Sequence, residues 1–540
     1  MKVDKWKNYI YNIVNYEQKT FILVYWMKVF FIQIEGGILM VVHTSTLIVF
    51  LLYLIFMMGI GIYFYNKGKS DDSLSGYLLG GRNLNPLVAA ISAGASDMSG
   101  WLLMGLPGAA YLAGYSAGWI GIGLVVGTWF NWTFVAKRFR VYTEVAGDSI
   151  TISDYFENRF KDDSRILRVV SAIFILLFFI IYTASGFVAG ALLFNTVFGM
   201  NYLSGLLLGS IVILSYTVLG GFLAVSWTDL FQGILMIIAL VGVPIGVFSS
   251  LGGVSPTMDA VREINPYLLQ LFKNPDGTSL GFWSTISLLA WGLGYPGMPH
   301  IITRFMAMRD AEETNTARRI AVFWVIVGLI ASVLIGVVGV VYLQDSPLQG
   351  SDVEKVFMIL IQSLFHPAVA GLFLAAVLAS IMSTADSQLL VASSSFTKDF
   401  YQVFFKKDAS DEELVKIGRW AVIIVSVIAF IMALNPDSKV LDLVSYAWAG
   451  LGATFGPIVV LSLYWKDMNR TGAISGMLVG GLTVLIWGKL SGGIFEIYEI
   501  LPGWIFSSLA IYLVSKLTGG ASQEIKDEFE KVNGLLKSEI

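Results

Sequence analysis

Hydrophobic and polar positions are segregated on a long scale, because apolar stretches of about 20 residues recur between short polar segments. A helix of that length crosses the ~30 Å hydrocarbon core of a bilayer. The short alternating segments of a transmembrane β-barrel are not found. The pattern predicts an all-α polytopic membrane protein with about 13 transmembrane helices. The predicted spans are residues 44–66, 88–111, 118–136, 167–195, 202–222, 229–250, 282–302, 320–343, 364–396, 417–435, 441–465, 471–489 and 501–517.

Composition supports this prediction and excludes several functional classes. Hydrophobic residues make up 56% of the 540 residues and charged residues only 14%, against about a quarter in soluble proteins. A net charge of −3 without a basic stripe excludes a nucleic-acid partner. The absence of cysteine excludes disulfides and thiolate metal sites, and the three histidines are too scattered to indicate a metal cluster.

Lysine and arginine are concentrated in every second connection between the predicted spans. Cytoplasmic loops retain positive charge, so the first span is predicted to start outside and the tail, 518–540, to lie in the cytoplasm. The positive connections contain Lys67, Lys69, Arg82, Lys137, Arg138, Arg140, Arg159, Lys161, Arg165, Arg168, Arg304, Arg309, Arg318, Arg319, Lys398, Lys406, Lys407, Lys416, Arg419, Lys466 and Arg470.

One predicted span is interrupted by residues that disfavour a regular helix. Ser92–Gly100 is rich in serine and glycine and carries Asp97 in mid-membrane. Unwound backbone is tolerated there only where it lines a cavity; its freed carbonyl groups suit a hard cation such as Na⁺, and its half-helix ends suit a carboxylate. Close packing of small residues is the alternative, but it does not account for a buried acid, so a functional site is favoured.

A second predicted span is broken by two prolines and three glycines in Trp291–His300. Trp291 and Tyr295 share a face if the first turn is helical. Their rings can cover an apolar ligand and attract its ammonium group. An aromatic belt at the interface is the alternative, but a belt does not require the break.

Hydroxyl groups and charges in other spans suggest further site residues. Ser383 and Thr384 are adjacent, and with nearby carbonyl groups they can form a Na⁺ site; hydrogen bonding back to helix carbonyls is an equally weighted alternative. Asp229 and Asp386 are further acids within the membrane. Arg82 lies at the cytoplasmic rim, where a functional role and simple snorkelling are equally weighted.

The two broken spans are the second and the seventh, and each opens a group of five helices, which is the layout of an inverted-repeat transporter. No Walker loop is present, which argues against an ATP-driven pump.

One hypothesis for the N-terminal extension is that it is not native and that translation begins at Met40. The predicted segments are the extension 1–39, the first helix and cytoplasmic loop 40–87, the first repeat 88–250, the external loop 251–281, the second repeat 282–465, two additional helices 466–517 and the tail 518–540, which contains a short amphipathic helix.

Six stretches resemble the sodium:solute symporter family, and most of all its proline-transporting members. They run through residues 44–517. They are SAGASDMSGWLLMGLPGA at 92–109, YTASGFVAGA at 182–191, GGFLAVSWTDLFQ at 220–232, WGLGYPGMPHI at 291–301, SIMSTADSQLLVASS at 380–394 and VSYAWAGLGATFGP at 444–457. The resemblance implies a LeuT-type core of five plus five helices with one flanking helix before it and two after.

The resemblance also implies a role for individual residues. It places sodium at the carbonyl groups of Ala95, Met98 and Ser380 and the hydroxyl groups of Ser383 and Thr384, with Asp97 and Asp229 assisting capture or the ion path. It implies a substrate pocket formed by Gly100, Trp101, Tyr182, Trp291, Tyr295 and Pro299, and an inner gate at Arg82. The role of Asp386 stays open, since this position varies among these relatives.

The expected function is sodium-coupled import of L-proline by alternating access across a bacterial cytoplasmic membrane. The expected partners are Na⁺ as the coupling ion, the substrate and the lipid bilayer, with no cofactor, no enzymatic activity and no nucleic acid. The alternatives are the same mechanism for another amino acid, pantothenate or a betaine-like osmolyte, and, less favoured, a membrane sensor.

Overall fold

The structure is a computed structural model that describes residues 44–68, 74–217 and 221–538. The hypothesis about residues 1–39 lies outside this range. The described part is helical, and its β-structure is limited to two isolated bridges. The first eleven α-helices are α1 Thr44–Gly68, α2 Leu74–Leu79, α3 Pro86–Asp97, α4 Leu106–Ala113, α5 Gly118–Phe130, α6 Lys137–Val145, α7 Ile152–Arg159, α8 Ile166–Phe198, α9 Tyr202–Thr217, α10 Phe222–Ser250 and α11 Val254–Ile264. The others are α12 Phe282–Leu289, α13 Pro299–Met306, α14 Thr314–Tyr342, α15 Val356–Leu364, α16 Pro367–Ser394, α17 Gln402–Phe404, α18 Asp411–Met432, α19 Val440–Tyr464, α20 Arg470–Trp487, α21 Ile500–Leu517 and α22 Gln523–Ser538.

Every predicted span contains helix, but the helices differ in length and continuity. In the described part, ten helices are long and apolar enough to cross a membrane, and α9 contributes a shorter apolar helix. The remaining spans are those that the breaks divide into short pieces. The total of thirteen crossings and the boundaries of the two repeats therefore stay predictions.

The first break is shorter than the sequence predicts. α3 continues through the serine- and glycine-rich run and ends at Asp97, so that only Met98 and Ser99 leave the helix. Close packing at Gly94 accounts for the persistence of the helix. Trp324 packs so close to this glycine that a Cβ atom there would lie 2.9 Å from its ring. Close packing thus overrides the weak helix propensity of the run. The chain resumes in a π-helix, Trp101–Gly105, that leads into α4.

The second break has a different form. After α12 the chain tightens into a 3₁₀-helix, Ala290–Gly297, and Met298 is extended before Pro299 opens α13. Proline at a first helical position lacks only an N–H that would be free there anyway. The break predicted from the prolines and glycines is thus present, and it turns the chain between two short helices.

Burial separates central from peripheral spans. In the most apolar window of Pro367–Phe404, 83% of the residues are buried, against 17% in the window of α1. Fully buried spans carry polar side chains because these can meet partners inside the protein. The centre of the molecule therefore lies along α16, the helix that carries Ser383, Thr384 and Asp386.

The tail forms the predicted amphipathic helix, α22. Its apolar residues Ile525, Phe529 and Val532 are buried against the rest of the protein. Ion pairs flank this contact, with Glu528 2.5 Å from Lys161 and Lys526 3.3 Å from Asp467. The helix is thus part of the folded body.

An acidic side chain holds the start of α19. The Glu354 carboxylate accepts hydrogen bonds from the backbone N–H groups of Val440 (2.9 Å) and Leu441 (3.0 Å). Burial raises the pKa of Glu354 to about 7, against the opposing effect of these two N–H groups; nearby Asp442 also raises it and Lys439 lowers it. The contact joins the loop before α15 to the first turn of α19.

We expect Glu354→Gln to remove part of the pH dependence of stability. Because the folded-state pKa of about 7 lies above the ordinary value of 4.5, the folded chain holds a proton that the unfolded chain has released. Stability from this group is therefore full below pH 4.5 and is lost as the pH rises through 7. The expected loss is on the order of 1–3 kcal/mol. The melting temperatures of the unaltered chain and of Glu354→Gln in detergent, measured from about pH 4 to about pH 8, test this pH dependence.

The matched control is Asp352→Asn, since Asp352 is an exposed acid in the same loop. Its pH profile should follow that of the unaltered chain. If Glu354→Gln also kept that profile, the titration of Glu354 would have no part in stability.

Candidate functional site

A carbonyl oxygen and two hydroxyl groups meet where the first break faces α16. Ser383 donates a hydrogen bond to the Ala95 carbonyl at 2.8 Å and Thr384 approaches it at 3.3 Å. The Ser383 hydroxyl is also 3.2 Å from the Ser380 carbonyl. Met98, the remaining predicted sodium ligand, is fully buried at the break itself. These oxygens are of the type that hard cations prefer.

Asp97 ends α3 inside the protein. Its side chain is 1% exposed, and Oδ2 accepts a hydrogen bond of 2.7 Å from the Tyr295 hydroxyl. Its other oxygen, Oδ1, has no hydrogen-bond partner among the described residues. The Asp97 backbone carbonyl accepts from Trp101 Nε1 (3.1 Å) and the Tyr182 hydroxyl (3.2 Å). Asp97 therefore joins the first break to the second.

Buried aromatic rings surround the two breaks. The rings of Trp101 and Trp291 are 6.0 Å apart. Trp448 packs edge-on against Tyr295 at 5.2 Å and donates from Nε1 to the Trp291 carbonyl at 2.8 Å. The structure therefore brings together Trp101, Tyr182, Trp291 and Tyr295, four of the predicted pocket residues. Trp448 is an addition that sequence spacing did not indicate.

Two glycines allow this close approach. A Cβ atom at Gly100 would lie 2.8 Å from the Cβ of Ala189, and one at Gly294 would lie 2.0 Å from Nε1 of Trp448. Separations below 3.0 Å require a neighbour to move. Gly100, predicted as a pocket residue, therefore has a packing role in this arrangement.

Arg304 is the largest departure from the sequence prediction. It was counted among the charges of a cytoplasmic connection, but it lies in α13 with only 1% of its surface exposed. Its Nε donates to Ser92 (3.0 Å), and its Nη2 donates to Asp229 Oδ2 (3.1 Å) and to Ser387 (2.6 Å). The count of positive charges registers position along the chain and not burial, so it could not distinguish this residue from its neighbours.

Asp229 therefore has a strong partner. Its Oδ2 also accepts from the Ser92 hydroxyl at 2.7 Å. Asp386 accepts a hydrogen bond from Thr217. One oxygen of each acid, Asp229 Oδ1 and Asp386 Oδ2, is buried with no hydrogen-bond partner among the described residues. Asp386 thus makes a polar contact inside the protein, between α9 and α16.

Arg82 joins three segments on the side of the positive connections. It donates to the Asp148 carboxylate (2.9 Å), the Ser149 carbonyl (2.9 Å), the Thr143 hydroxyl (3.2 Å) and the Met306 carbonyl (2.8 Å). Its side chain is only 10% exposed. These contacts fit the predicted gate better than a side chain that merely reaches for solvent.

A cavity lies beyond the sodium-ligand candidates, towards the positive connections. Pro299 lines it, together with Arg304 and Ser387. Thr303, Ser394 and Ile150 contribute further parts of its wall. Pro299, predicted as a pocket residue, thus lines this cavity together with Arg304.

The donors in the described part favour an alkali cation over a transition metal. No group of three or more His, Asp or Glu side chains is placed there to hold a metal ion. The oxygen cluster around Ala95 contains carbonyl and hydroxyl groups without thiolate or imidazole.

Comparisons with known proteins agree with this arrangement. The sodium:solute symporter family matches residues 77–480. The chain is 49% identical over 473 residues to the high-affinity proline transporter PutP of Bacillus subtilis, covering 88% of this chain and 98% of that one. It is 47% identical over 489 residues to the osmoregulated proline transporter OpuE of the same organism, covering 90% and 97%. It is 47% identical over 498 residues to the sodium/proline symporter of Escherichia coli, covering 92% and 97%.

The fold is similar to that of a sodium-coupled sialic acid symporter solved in a substrate-bound, outward-open state. The TM-score is 0.74 at 21% identity, with 89% of this chain and 99% of that chain covered. At this identity the similarity concerns the fold alone. It confirms the predicted fold class, an all-α polytopic membrane protein with a LeuT-type core.

Proposed function

Because the chain belongs to the sodium:solute symporter family, we propose that it imports L-proline together with Na⁺ by alternating access. The printed names of three relatives at 47–49% identity all specify proline transport. Family and relatives are transporters, the relatives named above are bacterial, and the chain is a multi-pass membrane protein. No catalytic activity, resident metal or cofactor is part of the proposal.

The observation that carries the proposal is the contact between the Ala95 carbonyl and the hydroxyl groups of Ser383 and Thr384. Sodium entering from outside would replace these hydrogen bonds and hold the first break against α16. The same break carries Asp97, whose carboxylate and carbonyl reach the aromatic cluster. Ion binding would thereby order the substrate pocket. Met98 and Ser380 would add carbonyl ligands.

The pocket suits a small zwitterion with an apolar ring. Aromatic faces of Trp101, Trp291 and Tyr295 would cover the ring and attract the secondary ammonium group. Backbone N–H groups freed at the breaks would hold the carboxylate. Gly100 and Tyr182 would complete the wall, and Pro299 would lie at its edge, next to the cavity that it lines.

Release would occur on the side of the positive connections. With the positive connections on the inside, the tail would lie in the cytoplasm and the first span would start outside. Arg82 would close this side until its contacts to Asp148 and Met306 break. The sodium gradient supplies ~2.3 kcal/mol per charge at ~100 mV and ~1.4 per tenfold concentration ratio. Together these accumulate a neutral substrate several hundredfold at a roughly tenfold ratio.

Uptake of labelled proline into proteoliposomes tests the proposal. With the full chain reconstituted, an inward sodium gradient should drive accumulation above the external concentration, and a sodium ionophore should abolish it. Excess unlabelled proline should compete far better than betaine, pantothenate or other amino acids. Accumulation of one of those compounds instead would replace the substrate, and accumulation unaffected by the ionophore would refute the coupling.

A further inference from the structure

Arg304 lies one helical turn from the sodium-ligand candidates on two helices at once. Its partner Ser387 follows Ser383 by four residues on α16, and its partner Ser92 precedes Ala95 by three on α3. Residues at these spacings are neighbours on one helix face. The guanidinium group therefore lies about one helical turn from the sodium-ligand candidates, on the side of the positive connections.

The guanidinium group also borders a small cavity. Arg304 and Ser387 both line the cavity that extends towards the positive connections. An ion that left through this cavity would pass the Ser387 hydroxyl, and the Asp229 carboxylate lies beside it; Arg304 donates hydrogen bonds to both in this structure. The same two groups are the oxygen ligands that a departing cation needs.

The charge of Arg304 affects how strongly a cation binds beside Asp229. A carboxylate buried in a membrane protein is costly without a counter-charge. Arg304 supplies that charge to Asp229 whenever no ion is near, and its own positive charge opposes the return of a second cation. A fixed cation at this point therefore favours an empty site over a reoccupied one.

We propose that Arg304 is a tethered cation that exchanges with sodium at Asp229 and Ser387 during release to the cytoplasm. It is a positioning residue, since it acts through these two side chains and not on the substrate. The inference rests on the proposed sodium-coupled transport and adds a step that lowers the affinity for sodium at the point of release.

Net uptake and exchange separate this role from a structural one. Net uptake requires the ion to leave on the inside and the empty carrier to return, whereas exchange of external labelled proline for internal proline, with sodium on both sides, requires neither. In Arg304→Gln, net uptake should fall at least tenfold while exchange stays within about twofold. The sodium concentration for half-maximal exchange should fall severalfold, because the competing cation is gone.

Three further variants complete the test in proteoliposomes. Arg304→Lys keeps the charge and should recover part of net uptake; Asp229→Asn with Arg304→Gln removes both charges and should recover more net uptake than Arg304→Gln alone. The matched control is Arg309→Gln, since Arg309 is exposed and pairs with Glu313. Equal loss of net uptake and exchange in Arg304→Gln, with no recovery in the other two variants, would overturn the inference. Absence of sodium-driven uptake in the unaltered chain would instead refute the proposed function.

Discussion

Asp97→Asn is expected to lower sodium-driven proline uptake by about 10- to 100-fold, because a hydrogen bond to a charged group contributes ~1.5–3 kcal/mol. Asn keeps the volume but removes the negative charge from the junction of the two breaks. Initial rates of labelled proline uptake at several sodium concentrations measure the effect. The loss should persist at saturating proline, since the carboxylate orders the site before the substrate binds.

Two comparisons decide whether the charge or the hydrogen bond matters. Tyr295→Phe removes the hydroxyl donor to Asp97 Oδ2 and should cost less than the loss of the charge. Asp345→Asn alters an exposed acid in the loop after α14 and serves as the matched control. Uptake by Asp97→Asn equal to that of this control would contradict an essential carboxylate.

Ser383→Ala combined with Thr384→Ala is expected to raise the sodium concentration for half-maximal uptake by at least tenfold. Each hydroxyl contributes about 0.5–1.5 kcal/mol as a neutral hydrogen-bonding group, and both face the same Ala95 carbonyl. The maximal rate at very high sodium should change much less. Uptake measured as a function of sodium concentration separates the two quantities.

Ser380→Ala distinguishes a carbonyl ligand from a hydroxyl ligand. The Ser380 hydroxyl donates to the Val377 carbonyl within its own helix at 2.8 Å, and its backbone carbonyl survives the substitution. The sodium dependence should therefore shift by less than about twofold. A shift as large as that of Ser383→Ala would place the Ser380 side chain among the ligands.

The fold could be predicted from local features of the sequence. Long apolar runs identify spans because backbone groups in lipid must be paired within a helix. The second break could be predicted because proline disrupts the interior of an α-helix, and this span contains two prolines. The first break was predicted too wide, because the prediction used the low helix propensity of serine and glycine and left tertiary packing out. In the structure Trp324 packs closely against Gly94, within the helix.

Residue chemistry indicated the separate parts of the site, but only the family motifs indicated which of these parts meet. Ala95 and Ser383 are separated by 288 positions, and no local rule connects residues so far apart. Arg304 shows the opposite failure, because the rule for positive loops assigned it to a surface that it does not reach. Burial decides its role, and burial depends on how α13 packs beside α3, α10 and α16.

The tail helix has a consequence for biosynthesis. Arg138 donates to Asn533 across 395 positions, and the ring of Phe529 lies 5.8 Å from the guanidinium of Arg159. A ribosome makes Arg138 and Arg159 well before it makes Phe529 and Asn533, so the surface around α6 and α7 stays uncovered until α22 has been made. Protection of α22 from a protease added on the side of α6 and α7 therefore marks a chain whose helices have been inserted and assembled.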